Sequence, residues 1–358
     1  MPRASSTLVS RRRVIAAGAA FALAGPKSPR AADTSDAALR AALAGPTVDM
    51  HSHAGNFIRP ATSFGQVAAP MREGGMSVAC LAIVADRPAI RVGSDRRISV
   101  VREPSPGELH RAGAEAFARL LRLADEQKLS IVTDAATLTR ARANGPAVIV
   151  ASEGADFLEG KLDPLDEAYQ KYHLRHLQLT HYRPNELGDI QTSGPFREGL
   201  TPFGADVVRA CNRRGIVVDV AHGTYDLVKR AAPVTQKPLV LTHSSLARSN
   251  EASLSRLITP DHARAVAATG GVIGVWPPSS VFRSKDAMAD GMARMAEIVG
   301  IDHVGLGSDM EGLPEPSSLA SYAELPALAR AMLAHFTPDE AAKILGGNYA
   351  RVFAATVG

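Results

Sequence analysis

Ile216-Val217-Val218-Asp219-Val220-Ala221-His222 is a short, β-branched apolar run that ends in a histidine. The next such run, Pro238-Leu239-Val240-Leu241, leads through Thr242 into His243 in the same way. A helical pattern over 225–232 lies between them. Working outward, the same unit recurs: apolar runs at 47–51, 77–84, 147–151, 174–180, 216–220, 238–241, 271–275 and 303–307, with helical patterns that include 111–127, 202–214 and 260–269. Apolar strands alternating with helices predict a parallel sheet buried on both faces. Such a pattern fits a closed barrel or a doubly wound open sheet.

The residues at the strand ends decide between the two. His51 and His53 end the first run, Glu153 the third, His181 the fourth, His222 the fifth, His243 the sixth and Asp309 the eighth. A closed barrel gathers these ends at one rim, whereas an open sheet spreads them across its width. The expectation is a single-domain α/β fold, a (β/α)8 TIM-type barrel over residues 33–358. Two rim segments, 85–109 and 182–199, read as long loops that wall or cover the barrel mouth.

Residues 1–32 stand apart. The 358-residue chain has 40 Lys+Arg against 36 Asp+Glu, a formal charge of +4. Arg3, Arg11, Arg12, Arg13, Lys27 and Arg30 fall in this segment, which has no acid. Removing those six leaves 34 basic against 36 acidic residues, a charge of −2. Arg11-Arg12 directly precedes an apolar run from Val14 to Ala24 and then small residues, the pattern of a twin-arginine export signal. A basic arm or an uncleaved anchor fits the same residues. As an export leader it predicts a periplasmic or secreted protein that meets the twin-arginine machinery only in transit. After residue 32 no basic stripe interleaves with aromatics, so nucleic acid is not an expected partner. Two cysteines, Cys80 and Cys211, exclude a disulfide scaffold and a Cys-rich zinc module. Buried free thiols are the default for both, and pairing and a homodimer stay open.

In Asp49-Met50-His51-Ser52-His53, period-2 geometry points both imidazoles to one face, where one cation can take both. Glu153 after its apolar run needs a cation or a rim arginine, because an unpaired buried carboxylate is costly. A lone His ending a strand is usually structural; two on consecutive strands at one level are more than that. Four His with two carboxylates suit a pair of Zn²⁺ ions better than Ca²⁺ or Mg²⁺, with Glu153 as the bridge. His110, His262, His303 and His335 read as structural or solvent-facing. Trp276, ending the seventh run, either walls the pocket or simply packs.

These residues resemble the membrane (renal) dipeptidases, binuclear zinc peptidases on an amidohydrolase-like barrel. The resemblance runs from about Thr47 to Phe353. Its motifs include Leu177-Gln178-Leu179-Thr180-His181, Gly199-Leu200-Thr201-Pro202-Phe203-Gly204, the 215–222 stretch, Thr242-His243-Ser244-Ser245, the 302–309 stretch and the 346–353 stretch. It implies that His51, His53 and Asp309 hold one zinc, His222 and His243 the other, and that Glu153 bridges. It also implies dipeptide hydrolysis by water activated between the ions, with Asp309 as proton carrier and His181 beside the scissile carbonyl. Arg256, with Arg248 as a rival, would receive the substrate carboxylate. The chain departs from the family at His53, where Asp is usual; this leaves the site one unit more positive. Another small amide as substrate, or a non-catalytic metal-binding protein, remain alternatives.

Overall fold

Eight parallel strands carry the apolar runs: β1 (Val48–Ser52), β2 (Val78–Val84), β3 (Ala147–Glu153), β4 (Leu174–Gln178), β5 (Val217–Asp219), β6 (Leu239–Ser244), β7 (Val272–Val275) and β8 (Val304–Leu306). Each pairs with the next, and β8 returns to β1 through Asp49↔Leu306, which closes the barrel. The computed structural model describes residues 33–58, 63–247 and 256–358. The proposed leader and Arg248 lie outside them. The longest unbroken register runs from Val78↔Ala147 to Val84↔Glu153 between β2 and β3. Because β4 meets β3 only from Val150 onward, a short strand, Ser130–Ile131, covers the exposed start of β3.

The strands read as continuous apolar runs because both faces are buried. Val48, Met50, Val78, Cys80, Ala82, Ile149 and Val240 form one cluster with Tyr349, Val352 and Phe353. Their period-2 neighbours Ala79, Leu81, Ile83, Val148, Val150 and Leu241 belong to a second cluster with the surrounding helices. The first cluster is the barrel interior, and the helix Asn348–Val357 plugs it at the strand starts. Lys237, just before β6, donates to Ala355 O at 2.7 Å from that end. The opposite end is left for chemistry. Close approach of strands there depends on Gly274 and Gly307, where an added Cβ would sit 1.9 Å and 1.7 Å from the Thr242 carbonyl oxygen.

Helix starts follow a repeated device. Thr201 caps Pro202–Arg214 by accepting from Gly204 N, and Thr259 caps Pro260–Ala267 by accepting from His262 N. Proline at the first helical position needs no N–H there, and each threonine cap contributes about 1 kcal/mol. The segment 85–109 is more ordered than the expected loop. It holds an antiparallel hairpin, Ile90–Val92 with Ile98–Val100, and its end opens the helix Glu108–Glu126. Cys80 and Cys211 are both buried and free.

His262 lies in the helix Pro260–Ala267, 3% exposed. Burial, and then the Arg256 charge, push its pKa down to about 4. Below the ordinary imidazole value the unfolded chain takes a proton that the folded chain refuses. Stability is therefore full above pH ~6.5 and falls by about 3 kcal/mol as pH drops to ~4. We expect His262→Gln to flatten this part of a urea-midpoint profile measured between pH 7.5 and 4; an unchanged slope would remove His262 as its source.

Candidate metal centre

The end of β1 delivers two imidazoles, His51 and His53, 1% and 2% exposed, with their Nε2 atoms 3.2 Å apart. His53 Nδ1 lies 2.8 Å from Ala82 O on β2. A carbonyl can only accept, so Nδ1 carries the hydrogen and Nε2 presents its lone pair. That lone pair faces Glu153 Oε2 at 3.2 Å and Asp309 Oδ1 at 3.5 Å.

A second imidazole pair adjoins the first. His222 and His243 approach with Nε2 atoms 3.0 Å apart. The Thr242 hydroxyl donates to Asp219 and therefore accepts from His243 Nδ1 at 2.9 Å, which turns the Nε2 lone pair inward. Burial, aided by Arg256 and neighbouring imidazoles, pushes His222 and His243 well below the ordinary imidazole range, so both are neutral. His222 and Asp309 have φ of 63° and 50°. Left-handed backbone at non-glycine residues costs of order 1–3 kcal/mol and gathers at functional sites.

Glu153 stands among all of these imidazoles. Its Oε1 lies 3.4 Å from His51 Nε2, 3.2 Å from His222 Nε2 and 3.4 Å from His243 Nε2. Its Oε2 lies 3.2 Å from His53 Nε2 and 3.1 Å from His181 Nε2. Burial opposes its ionisation, yet His181 and His51 hold the carboxyl well below the usual carboxylate range. Among the described residues no arginine pairs with it. Lone pairs and carboxylates facing one another at these distances repel unless positive charge lies between them. The donor set therefore fits divalent metal ions, and its imidazole share suits Zn²⁺. Ligand atoms of His51, His53 and Asp309 lie within 4.8 Å of one another, as do those of Glu153, His181 and His222. Asp219 also falls near His51 and His243. Its oxygens, however, are taken up by Thr242 Oγ1, Thr242 N and Ala221 N, so it orients His243 instead.

Three supporting residues were not assigned from the sequence. Asp86, fully buried just past β2, takes His181 Nδ1 at 2.7 Å and also accepts from Tyr182 N and Arg183 N. Burial works against the His181 imidazolium, but the Asp86 and Glu153 carboxylates outweigh it and raise the pKa to about 9. Gly312 passes so close that an added Cβ would lie 2.1 Å from Asp309 Oδ1 and 2.4 Å from His53 Cδ2. Gln191 accepts from Arg256 Nη1 at 2.9 Å. Trp276, left open between wall and packing, lines the pocket and donates from Nε1 to Asp309 Oδ2 at 3.2 Å. Asp49 is structural, holding Ser308 and Tyr322.

Arg256 also reaches this rim, with Nη2 donating to His243 O at 3.1 Å. A cavity of about 940 Å³ opens over the cluster, lined by His53, Glu153, His181, Arg256, Trp276 and Asp309 among others. A model of the membrane dipeptidase family, Peptidase family M19, matches residues 60–357. The chain belongs to that family. It is 30% identical over 186 residues to dipeptidase verJ of Clonostachys rogersoniana, covering 50% of this chain and 47% of that one. It is also 28% identical to the uncharacterized dipeptidase C965.12 of Schizosaccharomyces pombe, over 60% of this chain and 54% of that one. The chain thus spans about half the length of the curated relatives it matches. Among solved structures, a metallo peptidase from Rhodobacter sphaeroides, liganded with a phosphinate mimic of the dipeptide L-Ala-D-Ala, superposes with a TM-score of 0.69. It is 22% identical, with 87% of this chain and 99% of that one covered. At that identity the likeness shows the barrel fold alone.

Proposed function

We propose that this member of the membrane dipeptidase family hydrolyses the peptide bond of dipeptides at a centre of two Zn²⁺ ions. The observation that carries the proposal is the Glu153 carboxylate, whose two oxygens lie 3.1–3.4 Å from the Nε2 atoms of five imidazoles. His51, His53 and Asp309 would hold one ion, and His222 and His243 the other, with Glu153 shared. Bound there, the ions supply Lewis acidity and lower the pKa of water toward neutrality.

The chain's own groups account for the other steps. Asp309 Oδ2, oriented by the Trp276 indole N–H, accepts a proton from the attacking water and returns it to the leaving amine. His181, kept protonated by Asp86, donates from Nε2 to the oxygen that gains charge as water adds. Arg256, held by Gln191 and the His243 carbonyl, presents its guanidinium to the free α-carboxylate, which favours short substrates. The dipeptide mimic bound by the Rhodobacter sphaeroides relative supports this substrate class. We also propose that residues 1–32 direct export to the periplasm or beyond.

The test is a panel of dipeptides assayed with purified, zinc-loaded protein beside metal analysis. Turnover with two ions per chain is expected; two ions with no turnover of any dipeptide would favour a binding protein. Arg256→Lys should raise KM about tenfold with little change in kcat, because a point charge cannot reproduce the two-pronged carboxylate contact. A dipeptide amide, lacking that carboxylate, should not register the substitution. Equal KM effects on acid and amide would remove Arg256 from this role.

A further inference from the structure

The outer wall of the cavity carries positive charge that a simple dipeptide would not use. One residue beyond Asp86 the chain enters Arg87 and then the Ile90–Val92/Ile98–Val100 hairpin, with Arg91 on its first strand and Arg96 and Arg97 in its turn. All four arginines line the same cavity as Glu153 and Asp309. The hairpin holds them on a built element: Gly93 N donates to Arg97 O at 2.8 Å, and Val101 N to Ala89 O at 2.9 Å.

Little inside the protein neutralises this charge. Arg97 Nε lies 3.9 Å from Asp95 Oδ2 with both side chains largely exposed, a pair of small worth in water. Arg91 Nη1 donates to its own neighbour, Ile90 O, at 2.8 Å. Among the described residues no ion pair joins Arg87, Arg91 or Arg96 to an acid. The two acids on the outer wall are already engaged. Glu311 accepts from Asn56 N, and Glu315 from Ser279 Oγ, Ser280 N and Ser280 Oγ. Arg256 lies deeper, against Trp276 and His243. It is committed to the α-carboxylate by the reading above. Four rim arginines thus face Asp95, Glu311 and Glu315, and with Arg256 deeper in the cavity the wall keeps an excess of positive charge in a cleft that concentrates field.

We infer that the preferred dipeptides carry a second negative group, a side-chain carboxylate, and that Arg87, Arg91, Arg96 and Arg97 select it. The inference rests on the dipeptidase reading and names the substrate class of that same site. Attraction to an exposed arginine cluster is screened by salt, with a Debye length near ~10 Å at ~0.1 M. The selection should therefore be salt-sensitive, unlike a contact made deep in the pocket.

The experiment compares kcat/KM on zinc-loaded protein for Ala-Glu against Ala-Gln and Glu-Ala against Gln-Ala. Each is tested in both configurations of the C-terminal residue, at low and high salt. The acidic member of at least one pair should be favoured about tenfold at low salt, and the ratio should shrink by about threefold or more at high salt. In the variant combining R87Q, R91Q, R96Q and R97Q the ratio should fall to near one. The readout is the ratio within a pair, so a general loss of rate does not mimic it. Equal rates for acid and amide in the wild-type chain, or a preference that survives in the variant, overturn this inference and leave the dipeptidase reading standing. Failure to hydrolyse any of the dipeptides overturns that reading and the inference together.

Discussion

Replacing Glu153 with alanine should strip the centre of metal and abolish hydrolysis in the same step. Five imidazole nitrogens lie within 3.4 Å of this carboxylate, and Asp219, the other acid near both His51 and His243, is engaged by Thr242 and Ala221. Asp309 lies 3.5 Å from His53 Nε2 and 3.9 Å from His51 Nε2, on one side alone. Without Glu153 the second set, His222 and His243, retains two neutral ligands, too few to close a zinc shell. A Lewis acid contributes several kcal/mol to the transition state and each 1.36 kcal/mol is tenfold, so kcat/KM should fall by roughly four orders of magnitude. Metal content, read by elemental analysis, should drop well below one ion per chain while the far-ultraviolet circular dichroism stays unchanged. Glu153→Gln separates charge from shape, and it should lose metal nearly as completely because an amide cannot bridge as an anion. Full hydrolysis by the metal-free Glu153→Ala protein would end the proposed mechanism.

The barrel was legible because a strand buried on both faces leaves a continuous apolar run, and all eight runs became strands. The ligand ends were legible for a related reason: a polar residue placed directly after such a run must be facing a rim. Asp86 satisfies the same description, following β2 by two residues. Its role is invisible locally, because it depends on His181 lying 95 positions away in the chain. The Trp276 bond to Asp309 likewise spans 33 positions and joins neighbouring strand ends across the mouth. The hairpin at 90–100 escaped for a different reason. Its strands are three residues each, and Ile90-Arg91-Val92 and Ile98-Ser99-Val100 alternate too briefly to signal period 2. The buried chain from Cys80 through Tyr349 and His176 toward Asp219 was also unread. Each member resembles an ordinary core residue until the fold stacks them beneath His243.

Asp86→Asn should lower kcat about a hundredfold while metal content and KM hold steady. In the native protein one Asp86 oxygen faces His181 Nδ1 and the other is fixed by the Tyr182 and Arg183 amides. An asparagine must keep its oxygen on those amides, which can only donate, and so turns its NH2 group toward His181. The imidazole then presents a lone pair at Nδ1 and remains neutral, and Nε2 becomes an uncharged donor. A developing oxyanion then meets a neutral donor in place of a cationic one, and the loss should fall at the lower end of the roughly 10²–10³ in kcat that removing such a donor outright costs. The sign of the pH effect follows from the same exchange. With Asp86 the imidazolium persists up to a pKa of about 9, so activity should fall as pH rises through that value. With asparagine the larger of the two charges that hold this proton is gone, so the alkaline fall should begin at lower pH. A merely structural role for Asp86 would lower the amount of folded protein and leave the position of that limb untouched. A wild-type alkaline limb in the Asp86→Asn enzyme would therefore show that Asp86 does not hold the His181 proton.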